Sequence, residues 1–482
     1  MAQENSKQKP FYLTTTLPYV NADPHIGFAL EIVHADIICR HERLKGREVF
    51  FTTGTDEHGQ KIFQKAQETG QDTQAYVDHY AEQFGKLKNL LGLSYDAFIR
   101  TTNAGHKLAA QEMWRRSLAK GDIYKKKYKG LYCVGDEMFL KDTDLVDGKC
   151  PNHPNMDPVE IEEENYFFRL SAYQDKLLAY LAQDGVILPE WRRDEAIKFV
   201  AGGLEDFSIS REIARMSWGV PVPDDDSQVM YVWFDALTNY ISTLGWPEDT
   251  DENFAKFWEG GEVVQVAGKD QVRFQSVMWQ AMLMSVDVKA TDKVVYHGFI
   301  TSGGQKMSKS LGNVIEPAAL VEEYGTEAVR YFLARHIHPF EDSDFTLERF
   351  KDVYNANLAN GLGNLAARIM TLAQTHLESP VEAGEVEIPA EYSEAFENFE
   401  INKAADVIWE RISLLDAQIT DTQPFKVIKT NPEEGKELIA ALVVELAGIT
   451  KLLTPFMPAT AEAIAEAIKE NKKPENLFPR KD

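Results

Sequence analysis

Residues 11–54 read FYLTTTLPYVNADPHIGFALEIVHADIICRHERLKGREVFFTTG, and this stretch decides the fold class. The segment 11–20 is rich in β-branched and aromatic residues, which predicts a strand. Apolar residues from Ile26 to Ile38 then recur at helical spacing. Asp23 is the expected N-cap of that helix, and Pro24 its first residue.

A second strand is expected from Val49 to Thr53, ending at Gly54. Strand, helix and strand within roughly 45 residues form a βαβ unit, which favours a doubly wound parallel sheet. The same alternation returns later, with an apolar helical stretch, QVRFQSVMWQAML, among its strands. These later strands are expected around 229–234, 263–267 and 294–300.

Changes in pattern along the chain predict four segments. A lysine-rich stretch, turn-rich cysteine segments and an acidic run interrupt the alternation and indicate an insertion, whereas only helical patterns remain near the end. The sheet is therefore expected to be split by an insertion and followed by an all-α bundle. The expected divisions are 1–120 for the first half of the α/β domain, 121–230 for the insertion, 231–350 for the second half and 351–482 for the helical domain.

Composition excludes several classes of protein. The 482 residues include only three cysteines, too few for a secreted disulfide scaffold, and no stretch reaches the roughly 20 apolar residues of a membrane span. The N-terminal sequence lacks the features of a signal peptide, so a cytoplasmic protein is expected. Because the net charge is −25, any binding of nucleic acid requires a local basic patch.

Two segments far apart in sequence suggest phosphate chemistry. His25 and Gly27 stand where the first strand becomes a helix, and a helix N-terminus with a close-lying backbone favours an anion. The segment 302–310, SGGQKMSKS, follows a predicted strand and carries Lys306 and Lys309 on a glycine-hinged loop. Ammonium groups on such a loop can stabilise the charge of a departing pyrophosphate. Taken singly, each segment is better explained without phosphate, the first by a helix cap or a solvated histidine and the second by a solvated surface turn, and only their combination favours phosphate chemistry.

Together the two segments resemble the class I aminoacyl-tRNA synthetases. That family carries His-Ile-Gly-His at the first strand-to-helix turn and Lys-Met-Ser-Lys-Ser after the last strand of a Rossmann-type sheet. Here the second motif is complete at 306–310, whereas Phe28 replaces the second histidine of the first motif. The resemblance implies that His25, Lys306 and Lys309 are catalytic, and that they bind Mg-ATP with Gly27, Phe28, Glu31, Gly268 and Asp270.

The resemblance to methionyl-tRNA synthetases is more specific. It rests on five short segments: 16–19 (TLPY), 54–59 (GTDEHG), 231–236 (YVWFDA), 268–270 (GKD) and 297–298 (HG). By this resemblance Asp56 binds the methionine ammonium group. The same resemblance places around the thioether Leu17, Tyr19, Trp233, Ala236, Tyr240 and His297. Otherwise Trp233 and Tyr240 are core residues, and Asp56 is a helix cap.

A candidate metal site lies in the insertion. Cys133, Asp136, Cys150 and His153 have the spacing of two knuckles closing on one ion. They resemble the zinc site of many methionyl enzymes, in which cysteine occupies the position of Asp136. The alternative is a vestigial knuckle with two buried thiols.

The helical segment resembles the anticodon-binding domain of the same family. Asn364 and Arg368 share a helix face at i and i+4 and can bond unstacked bases, while Phe425 is either a stacking platform or a core aromatic. The chain ends without the appended tRNA-binding module that makes some relatives dimeric, so a monomer is expected.

The resemblance implies a two-step reaction. Methionine's carboxylate attacks the α-phosphate of ATP, and the terminal adenosine of tRNA(Met), initiator included, then takes methionine from methionyl-AMP. Two alternatives stay open. One is another compact class I synthetase, such as the cysteine enzyme, although that enzyme places zinc in the amino-acid pocket. The other is a synthetase-like RNA-binding protein without catalysis, which the complete 306–310 motif disfavours.

Overall fold

The structure of the chain is a computed structural model. It describes residues 8–135, 138–140, 144–151, 153–307, 313–382, 384 and 386–482. The chain divides into two compact units. The first unit comprises the described residues up to Pro24 together with Arg47–Lys88 and Tyr95–Tyr296, and the second comprises His25–Gly46, Asn89–Ser94 and His297–Asp482.

Strands are concentrated before residue 346. In the described residues they are β1 Phe11–Thr14, β2 Val49–Thr55, β3 Ala97–Arg100, β4 Ile123–Cys133, β5 Met138–Leu140, β6 Val159–Phe168, β7 Ile187–Leu188, β8 Phe207–Ser208, β9 Ser210–Glu212, β10 Gln228–Met230, β11 Glu262–Gly268, β12 Lys293–His297, β13 Ile300–Ser302, β14 Gln305–Lys306 and β15 Ser343–Phe345.

Helices occur throughout and dominate the C-terminal part. In the described residues they are α1 Ile26–Leu44, α2 Gln60–Glu68, α3 Thr73–Leu90, α4 Ala104–Ala119, α5 Gln174–Leu181, α6 Glu190–Ala201, α7 Val232–Leu237, α8 Asn239–Ser242, α9 Trp279–Ser285, α10 Pro317–Tyr324, α11 Thr326–Arg335, α12 Leu347–Val353, α13 Asn364–His376, α14 Ala390–Glu397, α15 Ile401–Thr422, α16 Pro424–Thr430, α17 Pro432–Leu453 and α18 Pro458–Glu470. Three π-helical segments, Phe254–Glu259, Phe274–Met278 and Tyr354–Gly363, adjoin them. None of the helices described is both long and apolar enough to cross a membrane.

A six-stranded sheet organises the first unit. Its order is β3-β2-β1-β11-β12-β7, and the pairs β3–β2, β2–β1, β1–β11 and β12–β7 are parallel. Strand order reverses direction between β1 and β11, and ligands of such sheets bind where this reversal occurs. The predicted doubly wound sheet is confirmed. Its edge strand β7 comes from within the predicted insertion.

The insertion carries its own antiparallel sheet, with the order β5-β4-β6-β8. Lysines of β4 lie opposite glutamates of β6, as in the pairs Lys127 with Glu164 and Lys129 with Glu162. Opposite charges facing each other across two strands stabilise this register. Part of the lysine-rich stretch thus faces opposite charge on its own neighbouring strand.

The second unit contains α1 and all the helices from α10 onward, with one small sheet of order β14-β13-β15. After β15 the described residues contain no strand, which agrees with the all-helical pattern read from the sequence. Buried apolar side chains recur along the long helices; in α15 they are Ile401, Ala404, Ala405, Ile408, Trp409, Ile412, Leu415 and Ile419.

Three predicted boundaries are wrong. The strand expected over 229–234 is only three residues long, pairs antiparallel with β9 and gives way to α7 at Val232. The first strand stops at Thr14, before a segment that contains Pro18, which has no N–H for a sheet ladder. The strand expected to reach residue 300 ends at His297, and β13 begins a different sheet.

The predicted helix cap is also wrong. Neither Asp23 nor Pro24 belongs to the start of α1, which begins at Ile26 with His25 as its N-cap. The His25 side chain accepts a hydrogen bond from the N–H of Gly27. At most helix N-termini a side-chain oxygen accepts the backbone N–H, whereas here an imidazole nitrogen accepts it. The common N-cap preferences therefore did not identify His25.

Candidate functional site

The loops after β1 and β2 bring two predicted methionine-binding residues together. Tyr19 and Asp56 form a parallel bridge, in which the Asp56 N–H donates to the Pro18 carbonyl at 3.0 Å and the Val20 N–H donates to the Asp56 carbonyl at 3.2 Å. Asp56 is buried, whereas Leu17 and Tyr19 are partly exposed. Since α2 starts at Gln60 with Gly59 before it, the helix-cap alternative for Asp56 is wrong.

A network that the sequence did not suggest holds the Asp56 loop. The neighbouring Glu57 carboxylate accepts two hydrogen bonds from Arg100, at 2.6 and 2.9 Å, and one from Thr102 at 2.5 Å. The indole N–H of Trp218 donates to the Glu57 carbonyl at 2.6 Å. These partners lie up to 161 residues away in sequence, and no local pattern indicates such pairings.

The remaining wall residues of the first unit occur at helical spacing. Trp233, Ala236 and Tyr240 are at positions i, i+3 and i+7 of α7 and α8, not on a strand. The indole of Trp233 stacks on the ring of Phe274, with 3.7 Å between centroids and 13° between planes. The Tyr240 hydroxyl donates to Gln275 Oε1 at 3.1 Å. Tyr240 also belongs to the hydrophobic core, which agrees with its alternative interpretation as a core residue.

Gly268 and Asp270 lie at the carboxyl end of β11. Gly268 is the buried last residue of that strand, and Asp270 is exposed in a short 3₁₀ turn, Lys269–Gln271. The carboxyl end of a strand beside the reversal of strand order is where α/β sheets bind nucleotides. Both residues therefore occupy positions compatible with their expected role.

In the second unit, His25 presents a defined tautomer. Its Nδ1 accepts the Gly27 N–H at 3.1 Å, so the proton of the neutral ring is on Nε2. Desolvation lowers the pKa of His25, which favours that neutral form although part of the side chain is exposed. A Cβ on residue 27 would lie 2.9 Å from the ring carbon Cε1, so a larger residue there would displace the imidazole from this position.

Glu31 and His297 are in contact. The His297 Nε2 lies 2.8 Å from Glu31 Oε2, and its Nδ1 lies 2.8 Å from the carbonyl oxygen of Gly298. A carboxylate and a carbonyl both accept, so two hydrogen bonds require a proton on each ring nitrogen. Burial, together with the charge of His297, lowers the pKa of nearby His34 to about 4. No local pattern along the chain indicates this pairing.

Only part of the 302–310 motif is described. Gly303 and Gly304 have φ values of 61° and 74°, and the Gly304 N–H donates to Asp344 at 2.7 Å. Lys306 is the last residue of β14 by its backbone. The side chain of Lys306 and all of Lys309 lie outside the described residues.

The candidate metal ligands converge. The ligand atoms of Cys133, Cys150 and His153 all lie within 4.8 Å of one another, and Cys133 Sγ is 3.8 Å from His153 Nδ1. Tetrahedral zinc separates its sulfur and nitrogen ligands by roughly 3.3–3.8 Å, so the separation of Cys133 and His153 fits a shared ion. Gly135 permits the approach, because a Cβ there would lie 2.5 Å from the His153 ring. Asp136, the fourth predicted ligand, lies outside the described residues.

The candidate anticodon residues are accessible. Asn364 starts α13, and Arg368, one turn later, forms a partly exposed ion pair with Asp416. Phe425 is 41% exposed on α16, so its alternative as a core aromatic is wrong.

The family described as tRNA synthetases class I (M) matches residues 11–158 and 153–370. The chain belongs to this family, the class I synthetases of methionyl type. A methionine–tRNA ligase of Thermotoga maritima is 41% identical over 96% of this chain and 76% of the relative. One of Mycobacterium tuberculosis, strain CDC 1551, is 39% identical over 95% of this chain and 92% of the relative.

Solved structures of methionyl-tRNA synthetases have the same fold. The Mycobacterium tuberculosis enzyme in complex with methionyl-adenylate superposes with a TM-score of 0.88 at 37% identity, covering 98% of this chain and 99% of that one. Its apo form gives a TM-score of 0.83 at 34% identity over the same shares of the two chains. The expected resemblance to methionyl-tRNA synthetases is confirmed.

Proposed function

We propose that this chain is a methionine–tRNA ligase that converts L-methionine and ATP to methionyl-AMP and then charges tRNA(Met), initiator included. The observation that carries the proposal is the near full-length likeness to a synthetase solved with methionyl-adenylate. The buried carboxylate of Asp56 beside Tyr19 and the stacked indole of Trp233 support it. A carboxylate suits an ammonium group, and aromatic and aliphatic surfaces suit a thioether.

Roles follow for the individual residues. By the family resemblance, Asp56 takes the ammonium group. The same resemblance assigns the side chain of methionine to Leu17, Tyr19, Trp233, Ala236, Tyr240 and His297. On the nucleotide side, the neutral His25 donates through Nε2–H to a phosphate oxygen. The family resemblance assigns the binding of Mg-ATP to Gly27, Phe28, Glu31, Gly268 and Asp270.

Catalysis rests on positioning and electrostatics. The methionine carboxylate attacks the α-phosphorus in line, the bond to the bridging oxygen breaks, and pyrophosphate leaves as its Mg²⁺ complex. Lys306 and Lys309 stabilise the charge that develops on the departing group. A hydroxyl of the terminal adenosine then attacks the carbonyl of methionyl-AMP and releases AMP. The tRNA attacks directly, so no protein nucleophile takes part.

The insertion is proposed to hold a structural zinc ion through Cys133, Cys150, His153 and Asp136. The thiolate and imidazole ligands would stabilise the segment between β4 and β6. The helical region 351–482 is proposed to read the anticodon with Asn364, Arg368 and Phe425. Because an exposed ion pair is worth little, RNA can displace Asp416 from Arg368. We further propose that the protein is a monomer and that it acts in the cytoplasm. Its domain boundaries are proposed at residues 120, 230 and 350.

Amino-acid-dependent exchange of labelled pyrophosphate into ATP tests the activation step. Methionine should support exchange far better than leucine, valine or cysteine. Substituting Asp56→Asn should raise the KM for methionine by at least about 10-fold, because the amide loses the charge. The control Asp72→Asn changes an exposed carboxylate that accepts the Ala75 N–H at the start of α3, and it should leave KM unchanged. Exchange driven best by cysteine would assign the chain to another class I enzyme.

A further inference from the structure

A buried carboxylate in the first unit joins two histidines that the proposed reaction does not use. Asp235 Oδ2 lies 2.6 Å from His58 Nδ1, and Asp235 Oδ1 lies 2.8 Å from His106 Nε2. All three side chains are buried, and that of Asp235 is completely inaccessible to solvent. They come from three separate elements: the loop after β2, helix α4 and helix α7.

The hydrogen bonds fix the protonation pattern of this cluster. A carboxylate oxygen accepts, so His58 carries a proton on Nδ1 and His106 carries one on Nε2. Burial alone would raise the pKa of Asp235, but the two imidazoles outweigh it and lower the pKa to about 2. The carboxylate is therefore charged at neutral pH, and both of its oxygens are engaged.

The members of the cluster stand beside proposed methionine-binding residues in sequence. His58 follows Asp56 by two residues, and Asp235 lies between Trp233 and Ala236. The hydrogen bond from His58 to Asp235 therefore connects the loop that carries Asp56 to helix α7, which carries Trp233. His106 ties the same carboxylate to α4 and places its own Nδ1 2.9 Å from the Ser242 hydroxyl on α8.

We propose that Asp235 is a positioning residue of the methionine pocket, which holds the Asp56 loop and the Trp233 helix at a fixed separation through His58 and His106. This inference rests on the proposed function. Asp235 does not touch the substrate in this scheme; it acts through the two histidines. Misplacing a binding group by about an ångström is enough to weaken its interaction strongly.

A structural role alone would lower stability without discriminating between the two substrates. We therefore expect Asp235→Asn to raise the KM for methionine by about 10-fold, while the KM for ATP and the kcat at saturating methionine change less than about twofold. The matched control is Asp122→Asn. Asp122 is also buried and accepts from the Tyr173 and Ser285 hydroxyls, but neither partner adjoins a proposed methionine-binding residue. It should shift the thermal midpoint and leave both KM values near those of the parent.

A pair of substitutions at His106 supplies the second test. Glutamine can place an amide N–H near the position of Nε2 and keep the hydrogen bond to Asp235, whereas leucine cannot. His106→Gln should retain a KM for methionine within about threefold, and His106→Leu should raise it about 10-fold. If Asp235→Asn does not fold, this pair of His106 variants still tests the positioning role of Asp235.

Methionine-dependent exchange in the unsubstituted protein separates the two hypotheses. If that protein shows no such exchange, the proposed function fails. If exchange is normal and the folded Asp235→Asn and His106→Leu variants change the KM values for methionine and ATP equally, or change neither, the positioning role is overturned.

Discussion

The carboxylate of Asp36 lies 2.8 Å from the guanidinium of Arg330, and neither side chain is exposed. Asp36 also accepts hydrogen bonds from the N–H and the hydroxyl of Ser94, each at 2.6 Å. Burial would raise the pKa of Asp36, but Arg330 and Arg40 outweigh it and lower that pKa. Three further donors of Arg330 bond the backbone carbonyls of Leu91, Pro455 and Phe456. One ion pair thus joins α1, α11 and the turn after α17.

Removing one partner of this pair should be strongly destabilising. Arg330→Met leaves a carboxylate buried without its main counter-charge, and the expected loss is about 3–5 kcal/mol of unfolding free energy. The double substitution Asp36→Leu with Arg330→Met should recover part of that loss, because both charges are then removed. Urea unfolding followed by circular dichroism measures the differences.

The matched control is an exposed ion pair of the same unit. Lys403 lies 2.7 Å from Glu400 on the surface, and Lys403→Met should change the unfolding free energy by less than about 1 kcal/mol. A similar loss for Arg330→Met and Lys403→Met would contradict the view that burial sets the strength of the Asp36 pair.

The elements with strong local patterns were predictable from sequence. The strand–helix–strand unit around α1 follows from apolar spacing, and the 306–310 motif together with the motif at His25 indicated the family. Boundaries were less accurate wherever one side chain decided them, as at His25, which caps α1 in place of Asp23. Strand β7 has only two residues, and it belongs to the sheet because it pairs with β12. Two residues are too few to show the alternation of apolar and polar residues that predicts a strand.

Long-range partnerships were not predictable. Asp36 and Arg330 are far apart in sequence, as are His58 and Asp235, and a single sequence carries no signal that two distant polar residues will be buried together. Candidate binding residues could be named because short motifs of the sequence resemble those of the family. The residues that hold them in position, such as Arg100 against Glu57, came only from the tertiary structure.

Zinc in the insertion is the next prediction. Protein prepared without chelator should contain about one equivalent of zinc per chain, because the sulfur atoms of two cysteines and an imidazole nitrogen converge to within 4.8 Å of one another. Cys150→Ser should reduce the metal content to less than about a tenth of an equivalent, since a serine hydroxyl is a poor zinc ligand. Elemental analysis by mass spectrometry measures both.

The control for the metal is Cys39→Ser, which alters a buried cysteine on α1 outside the cluster and should leave the zinc content unchanged. Metal-free protein with an unaltered fold and normal thermal midpoint would instead support the vestigial knuckle.

A third prediction concerns acid stability. His41 is buried and stacks on Phe396 with 3.7 Å between ring centroids, and burial, with Lys45, lowers its pKa to about 3. The unfolded chain binds a proton near pH 6.5, whereas the folded chain does not until much lower pH, so stability is lost as the pH falls below 6.5. His41→Phe keeps an aromatic ring at this position and removes the loss of stability that protonation of His41 causes. Between pH 6.5 and 5 it should lose about 1.5 kcal/mol less than the parent.

Urea unfolding at several pH values measures that difference. His79→Gln, which changes an exposed histidine on α3, is the control and should follow the parent profile. If His41→Phe and the parent lose stability in parallel as the pH falls, the buried His41 is not a source of acid sensitivity.

The last prediction concerns Lys309, which should act on the transition state of adenylate formation. An ammonium group on a glycine-hinged loop can approach the β- and γ-phosphates as charge develops on them, so its contribution is largest during the reaction. Lys309→Ala should lower the rate constant for methionyl-AMP formation by about 10²–10³-fold and leave methionine affinity nearly unchanged. Lys86→Ala, an exposed lysine on α3, is the control. Rapid-quench kinetics at saturating ATP separates rate from binding. A Lys309→Ala variant that forms adenylate at the parent rate would show that the 306–310 loop of this protein is a solvated turn, and the catalytic roles of Lys306 and Lys309 would have to be abandoned.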